Sequence, residues 1–328
     1  MSCLNCSIKG LRFEVNVNSI ELEKTIVSYL SKHHPITQRD NTIIVNEPAL
    51  RDLYDFSTDH LSDDMISYRI IGEQWQSIYT ADEVFSADWI DTVIQNKQII
   101  SHYQPIITAD KQIYAYELLA RFMDEEGKVI YPNEIFSAAR IRDRLYALDR
   151  LCRLTAVKYA KKITNAKAFI NFIPTSIYSP EHCLKSTTML ADQLGIETNT
   201  LVFEVVETDK VDDVNHLKRI LTYYKEKGFS YALDDVGEGY NTIDLLEELT
   251  PAYMKLDMKY VQGVASDGEK QKKALQLLSK AKEIGSIPLA EGVETETDFN
   301  WLKTQGFELF QGYLFGKPAK EPVMSISK

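Results

Sequence analysis

Polar residues, most of them acidic, stand inside or just after runs of this sequence that would otherwise form apolar strands. Glu117 lies in Ile113 to Leu119, Asn171 in Ala168 to Phe172 and Glu204 in Thr200 to Val206, while Asp234 and Asp235 close the run that starts at Tyr231. Lys255, Glu291 and Gln311 fall on or just after three further runs, Tyr253 to Leu256, Ile287 to Ala290 and Leu309 to Tyr313. A carboxylate on a buried strand is costly unless it is paired or holds a metal ion. One such residue alone reads as a solvated strand end or a structural ion pair. The set resists that reading, because adjacent carboxylates at Asp234 and Asp235 repel each other unless a cation lies nearby. The donors are oxygens, with no His or Cys among them, which suits hard ions such as Mg²⁺ or Mn²⁺ and disfavours zinc. Two-metal phosphoryl chemistry needs a carboxylate able to bridge ions about 3.5 to 4 Å apart, and Asp234 is the candidate for that place.

Residues so widely spaced act together only if their strands converge. From Ile99 onward the sequence alternates strand-like runs with amphipathic stretches such as 212–227 and 270–284. Nearly continuous apolar runs, of which Ala168 to Phe172 is one, are what strands covered on the outside by helices require. About 230 residues of this alternation fit a closed (β/α)₈ barrel, in which the C-terminal ends of the strands open on one mouth. The expected fold is α/β, a TIM-like (β/α)₈ barrel over residues 86–328, with Trp89, Ile90, Val93 and Ile94 at helical spacing leading into it. Residues 1–85 carry a shorter pattern of strands and helices from Leu11 to Ile71, and are expected to form a small α/β N-terminal domain. Its role is expected to be regulatory, since it holds no catalytic motif.

The runs also carry motifs in a specific order. They are Tyr103-Gln104-Pro105-Ile106, Glu117-Leu118-Leu119-Ala120-Arg121, Asn171-Phe172-Ile173-Pro174, Glu204-Val205-Val206-Glu207 and Ala232-Leu233-Asp234-Asp235-Val236-Gly237. Lys255-Leu256-Asp257, Ala290-Glu291-Gly292-Val293-Glu294 and Gln311-Gly312-Tyr313-Leu314-Phe315-Gly316-Lys317-Pro318 follow. From Trp89 to Pro318 the chain resembles the EAL family of cyclic di-GMP phosphodiesterases. The resemblance implies a barrel with one antiparallel strand, cyclic di-GMP as substrate, linear pGpG as product and two divalent metal ions. It implies Glu117, Asn171, Glu204 and Asp234 as ligands of one metal, and Asp234 with Asp235 as ligands of the second. Lys255 is implied as the residue that holds and helps deprotonate the attacking water, and Glu291 as a further acidic contributor. Gln104, Arg121, Asp257, Gln311 and Pro318 are implied as substrate or water contacts, and Glu207 as the anchor of the loop after Asp235. A homodimer is implied as well.

The chain departs from the family pattern at Leu118, in the second place of the name-giving Glu-Ala-Leu, and at Val236 and Glu238, where Phe and Thr are usual. The first change leaves the ligand intact; the other two are expected to loosen the loop. The alternative function is a catalytically silent EAL domain that serves as a cyclic di-GMP receptor or an interaction module. Silent members commonly lack one or more of these carboxylates, and here all are present.

The rest of the sequence narrows the classes. A net charge of −11 argues against binding DNA or RNA duplexes, which need clustered Lys and Arg. No run approaches the roughly 18 to 20 apolar residues of a membrane span, and the start lacks a secretory signal, so the cytoplasm is expected. Cys3, Cys6, Cys152 and Cys183 are too few and scattered for a disulfide framework. Cys3 and Cys6, with His33 and His34 as the nearest further donors, make an incomplete metal pattern, and exposed thiols are the simpler reading.

Overall fold

The computed structural model describes residues 10–61, 64–206, 213–237 and 243–326. They form two compact units, one running to Gln98 and including Ile130–Leu148, the other comprising Ile99–Val129 and the chain from Asp149 onward. The boundary expected at 85/86 falls inside the first unit, which also takes in a segment from within the expected barrel span. Electrostatics accounts for that segment. The Arg142 guanidinium is 3% exposed; it donates to Glu47 at 3.0 Å, Asp91 at 2.8 Å and the Val84 carbonyl at 2.8 Å. Arg144 reaches Asp91 at 2.6 Å. A buried guanidinium cannot be left without such partners.

The first unit is an antiparallel sheet in the order β2-β3-β1-β4-β5. Its strands are β1 (Arg12–Val17), β2 (Thr37–Arg39), β3 (Thr42–Asn46), β4 (Ile66–Ile70) and β5 (Gln76–Ser77). In β1 the alternation buries Phe13, Val15 and Val17. Helices α1 (Ile20–His33) and α2 (Glu47–His60) start where Ser19 and Asn46 side chains accept from Leu22 and Ala49 amides. They pack Ile26, Leu30, Leu50 and Leu53 into one core with the sheet.

The second unit begins with a hairpin, β6 (Ile99–Thr108) and β7 (Ile113–Met123), turned through Lys111 at φ 58°. The short β8 (Val129–Ile130) follows, and then β9 (Lys167–Phe172), β10 (Leu201–Val205), β11 (Ser230–Val236), β12 (Tyr253–Leu256), β13 (Ile287–Ala290) and β14 (Leu309–Gln311). From β7 through β9 to β14 every pairing is parallel; β6 is antiparallel to both β7 and β14 and closes the barrel. This is the expected TIM-like barrel with its one antiparallel strand. Helices such as Leu145–Ala160, Val214–Glu226 and Gly268–Glu283 cover the outside, burying Val157, Leu217, Ile220, Tyr224, Leu277 and Leu278.

Inside the barrel, one side chain from each of the eight strands fills the floor: Ile106, Ala115, Phe169, Val202, Ala232, Tyr253, Leu289 and Leu309. No helix among the described residues is long and apolar enough to cross a membrane.

Candidate active site

Strand side chains point inward every second residue, so the floor dictates what lies above it. Two residues further toward the mouth come Glu117 on β7, Asn171 on β9, Glu204 on β10, Asp234 on β11 and Lys255 on β12. Glu291 follows β13 directly, Gln311 ends β14, and Gln104 comes from β6, which runs the other way. Each of the eight strands thus replaces an apolar floor residue with a polar one at its next inward place. Most of these side chains are almost wholly buried: Glu204 is 0% exposed, Lys255 1%, Gln311 4% and Glu117 7%.

Lys255 is the hub. Its Nζ lies 2.6 Å from Glu204, 2.9 Å from Asp234, 2.5 Å from Glu291 and 4.0 Å from Glu117. Burial would lower its pKa, but the carboxylates of Asp234, Glu117, Glu204 and Glu291 hold it well above the usual lysine range. These carboxylates thus favour the ammonium form of Lys255. Around it the carboxyls part company. Burial pushes Glu204 and Glu291 well above the ordinary range, against the pull of Lys255. Glu117 is also buried, yet Lys255 and hydrogen bonds from Gln311 and Asn171 hold its carboxyl below the ordinary range. Those bonds run from Gln311 Nε2 at 2.6 Å and Asn171 Nδ2 at 2.9 Å. Burial and the neighbouring Asp234 raise Asp235 to about 7.

The donor set fits divalent metal ions. Oxygens of Asp234, Asp235 and Glu291 lie within 4.8 Å of one another. With both amide nitrogens committed to Glu117, the buried Asn171 Oδ1 and Gln311 Oε1 have no hydrogen-bond partner. A buried acceptor left over in this way, beside carboxylates that repel one another, is what a hard cation satisfies. Asp235 reaches the site through a left-handed backbone, φ 48°, which turns its side chain out of the strand alternation and beside Asp234. Two glycines let the chain turn tightly at the mouth. A Cβ on Gly292 would fall 2.5 Å from Met258 Cβ, and one on Gly312 only 2.0 Å from the Val293 carbonyl oxygen.

The remaining expected residues lie around this ring. Arg121 is four residues beyond Glu117 on β7, half-buried, with Nη1 donating to the Ala120 carbonyl at 2.8 Å. Asp257 follows β12, accepts from the Lys259 amide at 2.6 Å and faces Asp235. Pro318 precedes Ala319, which exchanges two backbone hydrogen bonds with Tyr103 next to Gln104. Glu207, Glu238, Cys3 and Cys6 lie outside the described residues. Leu118 points outward and is 3% exposed, so the change from the family's Ala touches the outer core and not the ring. Val236, expected to loosen the loop, is fully buried opposite Leu256 on β12. Sequence reasoning missed Tyr253, whose hydroxyl meets Tyr114 at 2.7 Å on the floor, and Asp149, a buried acid on the helix Leu145–Ala160. For Asp149 the signal was a lone carboxylate within Leu148-Asp149-Arg150-Leu151.

The sequence profile of the EAL domain matches residues 87–318. The chain belongs to the EAL family. Among its curated relatives is the probable cyclic di-GMP phosphodiesterase PdeG of Escherichia coli K12, 27% identical over 336 residues that cover 96% of this chain and 65% of that protein. The cyclic di-GMP phosphodiesterase PdeR of the same organism is 25% identical over 243 residues, 72% of this chain and 37% of that protein. The chain therefore spans less than two thirds of the length of both. A solved structure of a standalone versatile EAL protein from Vibrio cholerae O395, in its c-di-GMP-bound form, is 35% identical. The alignment covers 70% of this chain and 95% of that one, at a TM-score of 0.62. This EAL domain thus shares the barrel with that solved structure.

Proposed function

We propose that the chain hydrolyses one phosphodiester bond of cyclic di-GMP, giving linear pGpG, with two divalent ions, Mg²⁺ or Mn²⁺. The observation that carries this reading is the complete polar ring, in which Glu117, Asn171, Glu204, Asp234 and Glu291 converge with Lys255 and two acceptor oxygens are left over. Glu117, Asn171, Glu204 and Asp234 would hold one ion, and Asp234 with Asp235 the second. Bound there, the ions would acidify a water and neutralise phosphate oxygens. The chain's own part is placement. Lys255 would hold the attacking water and help deprotonate it, while Glu291, 2.5 Å from its Nζ, orients it. Arg121 presents a fork that matches a phosphate. In this reading Gln104, Gln311, Asp257 and Pro318 would border the nucleotide, and Glu207, outside the described residues, would anchor the loop after Asp235. The reading includes a homodimer, a cytoplasmic setting for a nucleotide substrate and a regulatory N-terminal domain.

The test is turnover of cyclic di-GMP by the purified chain in Mg²⁺ or Mn²⁺, with the product identified by chromatography. Appearance of pGpG that EDTA prevents supports the reading. Tight nucleotide binding with no product would replace it with a receptor role.

A further inference from the structure

Asn171 must present its free oxygen at a fixed point, and the strand that carries it ends one residue later, at Phe172. The next amide, that of Ile173, is buried at the strand end and precedes Pro174, which itself supplies no N–H. The Ile173 amide donates to Asp149 Oδ1 at 2.9 Å. Asp149 is 2% exposed, and its other oxygen lies 3.0 Å from Nη2 of Arg153, one helical turn on and also buried. The two buried charges pair at that distance. Arg153 also lies close enough to act on the Tyr224 phenol, which stacks on Phe203 at 4.0 Å, the residue before Glu204.

We propose that Asp149 is a positioning residue for the metal site. By pinning the peptide between Phe172 and Ile173, it fixes the end of β9 and hence the point at which Asn171 Oδ1 is presented. The proposal rests on the reading of Asn171 as a metal ligand. Asp149 touches neither substrate nor metal; its effect passes through the backbone to Asn171. Groups one step behind a ligand set its orientation, and losing one typically weakens metal binding by about 10- to 100-fold.

The experiment measures Mn²⁺ affinity by electron paramagnetic resonance titration of the full chain, together with thermal stability. Asp149→Ala alone leaves Arg153 buried without a counter-charge and invites unfolding, so the test variant is Asp149→Ala with Arg153→Leu, compared with Asn171→Ala and with all three changes together. Expected are a folded pair variant with Mn²⁺ affinity about tenfold weaker, and a triple variant no weaker than Asn171→Ala, because the two act on one ligand. Asp149→Asn, which keeps an acceptor for the Ile173 amide, should lose stability but hold Mn²⁺ near the wild-type affinity. Unchanged affinity in a folded pair variant, or additive losses in the triple variant, would overturn the proposal while leaving the phosphodiesterase reading intact. A wild-type chain that binds no Mn²⁺ would overturn both.

Discussion

The floor of the barrel and the ring above it stand on the same eight strands, about 7 Å apart along each strand, and differ in almost every physical respect. The floor is apolar apart from the Tyr253 hydroxyl, and its burial stabilises the fold. The ring gathers one ammonium with Glu117, Glu204, Asp234 and Glu291, and desolvation makes most of it a cost. The contrast teaches where each property resides. One pleat repeat separates the residues that hold the barrel from those that give it chemistry, so stability and activity should respond to mutation separately.

The largest expected effect comes from crossing that line. Glu204→Ala should lower turnover at least about a thousandfold, on the scale seen when a group supporting transition-state charge is lost, while the barrel remains folded. Phe169→Ala, on the adjacent strand in the floor, should cost about 3 to 5 kcal/mol in urea unfolding yet leave turnover per folded molecule near wild type. A folded Phe169→Ala variant without activity would erase the distinction. Next in size is Lys255→Met, which should destabilise the metal-free chain by about 3 to 5 kcal/mol, because it leaves buried carboxylates without their partner. Glu204 and Glu291 already sit above the ordinary range and would then hold protons more tightly folded than unfolded, so stability of this variant should rise as the pH falls. Saturating Mg²⁺ should raise the Tm of both proteins, and more in Lys255→Met; equal shifts would mean the ring does not share its charge with the ions. Ca²⁺, which prefers longer bonds and more ligands, should raise the Tm but inhibit turnover in Mg²⁺. Full turnover in Ca²⁺ alone would count against hard-ion chemistry.

The ring was legible in the sequence for a local reason. A polar residue interrupts an otherwise continuous apolar strand, and the interruption at Glu117, Asn171, Glu204 and Lys255 survives without any knowledge of the fold. What escaped depends on distant partners. Asp149 is one acid on an amphipathic helix until the Ile173 amide, 24 residues on, is placed against it. Likewise, nothing local shows that Arg142 will bury itself against Glu47, 95 residues earlier. The contacts of Lys255 were also out of reach, because its distances to Glu204, Asp234 and Glu291 depend on three other strands or strand ends.

The smallest expected effect sharpens the line from the floor's side. Tyr253 is the floor residue two places before Lys255 on β12, 3% exposed, and its hydroxyl meets the half-buried Tyr114 hydroxyl at 2.7 Å. Burial, then the bond to Tyr114, raises its pKa well above the usual phenol range, so it is neutral and cannot add charge to the ring. Tyr253→Phe keeps the ring that packs against Phe169 at 5.0 Å and removes only the hydroxyl. Water can reach the partly exposed Tyr114, so the loss is one net hydrogen bond, about 0.5 to 1.5 kcal/mol in urea unfolding. Turnover and Mg²⁺ dependence should be unchanged. If turnover instead falls tenfold with stability intact, the Tyr114–Tyr253 pair reaches the ring through the Lys255 backbone, and the chemistry of this barrel begins one layer lower than its carboxylates suggest.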